Sequence, residues 1–110
     1  MKTLSLYINN ELAYEYDRAT LLSDSQQAFL DKMDADMARG IRVSGETISE
    51  PDQHQRATFI TLNLIRAMQQ EDEAKIAVSC AYLASRLPHV VEVRASDQDG
   101  GIGVEFIEEH

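Results

Sequence analysis

Residues 49–88, SEPDQHQRATFITLNLIRAMQQEDEAKIAVSCAYLASRLP, decide the fold. They hold two helical patterns with only Gln70, Glu71 and Asp72 between them. Ser49 followed by Pro51 and Asp52 reads as a helix start, with Ser49 as the cap and Pro51 in the first turn. That helix runs to about Gln70. The next runs from about Asp72 to Leu87, with acids at its start and Arg86 at its end, matching the helix dipole. Pro88 blocks continuation, because it lacks an N–H and clashes with the preceding turn. A connection this short folds the two segments back on each other as an antiparallel helical hairpin.

The earlier of these helices carries two apolar faces. Its main stripe is Ala57, Ile60, Leu64, Ala67 and Met68. Phe59 and Leu62 lie about 200–260° round the helix from Ile60, at 100° per residue. Gln55, Asn63 and Arg66 surround that pair. A helix that only covers a sheet needs one stripe. The second face fits either a central helix packed on both sides or a partner surface. In the partner reading Phe59 and Leu62 form the apolar centre and Arg66 the polar edge, a composition that interfaces favour. In the later helix Ala74, Ala77 and Ala81 form a ridge of small residues, expected to pack against its hairpin neighbour. Cys80 falls on that helix's apolar stripe with Ile76, Leu83 and Leu87, so it reads as an inert buried thiol.

Outward from the hairpin, the pattern changes to period two. Leu4, Leu6 and Ile8 alternate with polar residues and Tyr7, and Leu12, Tyr14 and Tyr16 do the same. A three-residue Asn9-Asn10-Glu11 loop sets Ile8 against Leu12, Leu6 against Tyr14 and Leu4 against Tyr16. That register puts every large apolar side chain on one face, which selects it over a two-residue loop. At the other end Val91 and Val93, then Ile102, Val104 and Phe106, make a second hairpin around a turn at Asp97–Gly101. Between the N-terminal strands and the helical hairpin lies a further helix, Ser23 to Arg39. Ser23 and Gln26 form a capping box, and Phe29, Leu30, Met33 and Met37 form its apolar stripe. Gly40 ends it. Residues 40–48 fit a short hairpin or a loop with apolar anchors.

Each terminal hairpin is marginal alone and needs cover. The arrangement expected is therefore one α+β domain over residues 1–110: three helices packed on one face of a mostly antiparallel sheet, built from an N-terminal and a C-terminal hairpin.

Composition narrows function by exclusion. The chain has 110 residues, 19 acidic against 10 basic, and a formal net charge of −9. Proteins that bind duplexes carry excess cations to displace phosphate counterions. The opposite sign argues against direct nucleic-acid binding and against anionic membranes. No apolar run approaches the ~20 residues of a membrane span. With one cysteine and no signal-peptide pattern at Met1–Tyr7, the expected location is the cytoplasm.

The residues that could do chemistry lack the required spacing. In Asp97-Gln98-Asp99-Gly100, the positions a calcium loop would need at its first and twelfth places are Ala95 and Phe106, which cannot ligate. His54, His89 and His110 share no zinc-ligand spacing. Asp31, Asp34 and Asp36 do not converge on one face and read as a solvated helix surface. No glycine pattern cradles a phosphate. The expectation is no metal, no cofactor and no catalytic activity: a small acidic accessory or regulatory protein that binds a protein partner, as a homodimer. An acidic inhibitor mimicking nucleic acid, or a small enzyme with a dispersed site, are the alternatives.

Overall fold

The computed structural model describes residues 3–18, 22–43, 45–98 and 101–108, except for the side chains of residues 97 and 98. The elements are β1 (Thr3–Ile8), β2 (Glu11–Asp17), α1 (Asp24–Met37), β3 (Ile41–Val43), β4 (Glu46–Ile48), α2 (Gln53–Gln69), α3 (Glu73–Arg86), β5 (Val90–Gln98) and β6 (Gly101–Glu108). The main sheet has the order β2-β1-β5-β6, and β3–β4 forms a separate two-stranded ribbon. Both terminal hairpins are antiparallel, and they join through a parallel β1–β5 pair. The fold is thus α+β, with three helices and a mostly antiparallel sheet made from the two chain ends.

The first hairpin has a shorter turn than expected. Asn9 and Asn10 both have positive φ, 51° and 69°, the two-residue turn whose twist matches the strands. Leu4 still faces Tyr16 and Leu6 still faces Tyr14, because a bulge at Ala13 absorbs the difference. Beyond it Tyr7 pairs with Leu12 and Ile8 with Glu11, not Ile8 with Leu12. Leu12 consequently turns away from the helices and is 49% exposed. The Asn9 N–H donates to the Ala95 carbonyl at 2.8 Å, tying the turn to β5.

The second hairpin also carries an irregularity. Val90 pairs with Glu108 and Glu92 with Ile107, leaving Val91 as the extra residue. The bulge buries both Val90 and Val93, which strict alternation from Val91 did not anticipate. Val104 and Phe106 pack on the core, whereas Ile102 is exposed. Of the turn expected at Asp97–Gly101, Asp99 and Gly100 lie outside the described residues, as do Ser44 and His110.

The core lies between sheet and helices. Leu4, Leu6, Val90 and Val93 from the sheet meet Leu30 and Met37 of α1, Ile60 and Leu64 of α2, and Tyr82 and Leu83 of α3. The helix starts explain the bounds. At α1, Ser23 Oγ accepts from the Gln26 N–H, and the Gln26 side chain accepts from the Ser23 N–H at 2.8 Å. At α2 the cap is Asp52, not Ser49. Asp52 and Gln55 satisfy each other's backbone donors at 2.8 and 2.9 Å. That reciprocal pair outcompetes a lone Ser, and the pairing of Ile48 with Ile41 holds the chain extended to residue 48. Gly40, at φ 124°, stops α1. Arg18 donates to the Leu87 carbonyl at 2.9 Å, placing a cation at the C-terminus of α3.

Candidate functional site

Two regions of the helical layer bring polar or exposed apolar groups together, and both involve α1. The first is a polar hub. The Tyr82 hydroxyl donates to Asp34 Oδ1 at 2.5 Å, and Arg86 Nε donates to Asp34 Oδ2 at 2.9 Å. Arg56 on α2 reaches the same carboxylate at 3.3 Å. Gln53 donates to the Tyr82 oxygen at 3.3 Å, and Arg86 also pairs with Asp31 at 2.8 Å. One carboxylate therefore links all three helices. This corrects the reading of Asp31, Asp34 and Asp36 as solvated helix surface: Asp31 and Asp36 are exposed, but Asp34 is only 24% exposed and fully engaged.

The electrostatics make the hub structural. Burial pushes the Asp34 carboxyl up, but hydrogen bonds from Tyr82 and Arg86 and the nearby guanidinium charges outweigh it and hold it below the usual carboxylate range. Burial, then the hydrogen bond to Asp34, pushes the Tyr82 hydroxyl up to about 12. At neutral pH the tyrosine is a fixed neutral donor and the aspartate a fixed anion. Neither exchanges a proton near pH 7, where acid–base catalysis needs it.

The second region is a surface. Phe29 of α1 is 49% exposed. It was expected in the apolar stripe, but the buried line of the helix is Leu30 and Met37, seven residues apart. Phe29 falls about 100° off that line. It is a shared wall of two grooves. One, of about 370 Å³, is lined by Tyr16, Leu22, Leu30 and the alanines 74, 77 and 81. This is where the small-residue ridge of α3 points. Ala74 and Ala77 are exposed in the groove, because α1 approaches α3 at few points and leaves their small side chains uncovered. The other groove, of about 360 Å³, runs between α1, α2 and α3. Met33, Ile60, Ala67 and Val78 give it apolar walls, and Asn63, Arg66, Gln70 and Lys75 give it polar ones. No carboxylate lines it.

The three residues expected to form a partner surface are not equally placed. Arg66 is exposed and lines the second groove. Phe59 is half-buried and packs against the core, and Leu62 is half-buried. Sequence reasoning gave Phe29 to the core and so missed it as a surface residue. Cys80 is buried, and burial pushes its thiol up to about 12, far from a reactive thiolate. Among the described residues no three His, Cys, Asp or Glu side chains stand together as a metal site, and no helix is long and apolar enough to cross a membrane. Compared with known protein families, curated proteins and solved structures, the chain matches none.

Proposed function

We propose that this chain is a small acidic accessory protein of the cytoplasm that works by binding another protein chain, not by catalysis. The observation that carries the reading is Phe29: a large aromatic side chain, half exposed, standing between two grooves with apolar walls. Scattered single apolar residues on a surface need no explanation, but an aromatic flanked by concave apolar walls has the form of an interface centre. The polar edge of that surface is Arg66, one of the residues that the two-faced pattern of α2 singled out. Phe59, which that pattern also singled out, is half-buried against the core.

The test compares the wild-type chain with Phe29→Glu as bait for proteins from the source cells, read by mass spectrometry. A carboxylate at this position meets apolar walls with no partner once a second chain covers it, which costs several kcal/mol of association. The expected result is a set of proteins, copies of the chain itself included, retained by the wild type and lost by the variant, with the circular dichroism spectrum unchanged. Identical sets from both baits would remove Phe29 from the interface.

A further inference from the structure

The groove between α1, α2 and α3 has an electrostatic character opposite to that of the chain as a whole. The protein carries −9 overall, yet the groove presents Arg66 and Lys75 and no acid. Among the described residues Arg66 has no ion-pair partner, and Lys75 reaches only Asp72, at 3.9 Å. A surface that complements it lies on the same molecule. Phe29, Met33 and Asp36 follow one another at four- and three-residue spacing, so they share one face of α1. Phe29 and Asp36 are exposed on it, and Asp36 also lacks an ion-pair partner among the described residues. From Phe29 to Asp36 is about 10 Å along a helix, and the α2 wall of the groove, from Ile60 to Gln70, is about 15 Å long. The first length fits within the second.

Resting on the reading of Phe29 as an interface centre, we infer that the occupant of this groove is α1 of a second copy of the chain. Phe29 inserts between the apolar walls, and Asp36 meets Arg66. A two-fold axis requires the same patch to carry both the inserting element and its receptor. This patch does: α1 supplies the aromatic and the acid, with exposed Lys32 at the solvent edge of the same face, and α2 and α3 supply the cations and the far walls. Phe29 provides the affinity through apolar burial. The exposed ion pair adds little energy and instead fixes the register, because it opposes any alignment that sets Asp36 against an acid. A foreign partner needs only half of this arrangement, so the presence of both halves on one face selects the second copy.

Sedimentation of the full chain over a range of concentrations tests the inference. The wild type is expected to sediment as a concentration-dependent dimer. Phe29→Glu should sediment as a monomer. Asp36→Arg and Arg66→Asp should each weaken the dimer about tenfold, near 1.4 kcal/mol. The double variant, with the charges exchanged, should return to within about threefold of the wild type, since coupled residues are not additive. A wild-type chain that stays monomeric overturns the second copy as occupant. If Phe29→Glu still loses captured proteins in that case, the binding reading survives with a foreign partner. A dimer that persists in Phe29→Glu overturns the second copy as occupant of this groove, and if the captured proteins are retained as well it also overturns Phe29 as an interface centre. A dimer that the exchanged pair fails to restore overturns the assigned register. If Phe29→Glu fails to fold, the Asp36 and Arg66 variants, both at exposed positions, decide the matter alone.

Discussion

Two faces of α1 meet the rest of the protein in opposite ways. On one, Asp34 is closed in: Tyr82, Arg86 and Arg56 all donate to it, and three helices are fixed by one carboxylate. On the other, about 140° round the helix, Phe29 stands over two grooves, with the alanines of α3 opposite and unfilled space on both sides. Hydrogen-bonded charges accept few geometries, whereas apolar contact is non-directional. The hub therefore sets how α1 lies on α3, and the Phe29 face is left with surface that the chain itself does not cover. A polar contact inside the helical layer can thus leave apolar surface uncovered, by dictating where the apolar contacts cannot close.

The largest effect expected is at the hub. Asp34→Ala leaves the Tyr82 hydroxyl and two guanidinium groups without their acceptor, and should cost about 3 kcal/mol in urea unfolding. A cost below about 1 kcal/mol would show that the hub does not hold the helices. Tyr82→Phe removes one donor and keeps the ring in the core, so it should cost about 1–2 kcal/mol. Phe29→Ala should change stability by no more than about 0.5 kcal/mol for the monomer. A fully buried phenylalanine would cost about 3–5 kcal/mol, and a value of that size at Phe29 would erase the contrast between the two faces.

The hub also predicts a pH dependence. The folded Asp34 carboxyl is held below its usual value, so the unfolded chain binds its proton first as pH falls. The stabilisation is complete above the ordinary carboxylate range, near pH 4, and is lost as pH falls through the depressed folded value. Denaturation midpoints of the wild type should drop on that limb, and Asp34→Asn should flatten part of the drop. Parallel curves for the two proteins would assign acid sensitivity to other carboxylates.

The smallest effect concerns Cys80. Its burial predicts that a thiol reagent labels the folded protein slowly and the unfolded protein at once. Asp34→Ala should speed labelling by loosening the helix that carries Cys80. Equal rates in the two proteins would mean that the hub and the core around Cys80 open independently.

Local signals fixed the elements themselves. Period-two runs at both ends, the capping box at Ser23 and the proline after α3 make the strands and helices legible, because these depend on residues a few positions apart. The Asn9-Asn10 turn is shorter than the alternation implies because register is set by packing, and a single bulge at Ala13 lets a two-residue turn coexist with the apolar register. The Asp34 hub left one signal unused: by helical spacing Asp34 lies about 40° from Leu30, inside the buried sector of α1. A carboxylate there needs cationic or hydroxyl partners, but its partners lie on helices whose relative placement no local pattern reveals. The same holds for Phe29. Periodicity names the residues that share a helix face. Which part of that face finds a neighbour depends on where the other helices stop, and only the assembled chain decides that.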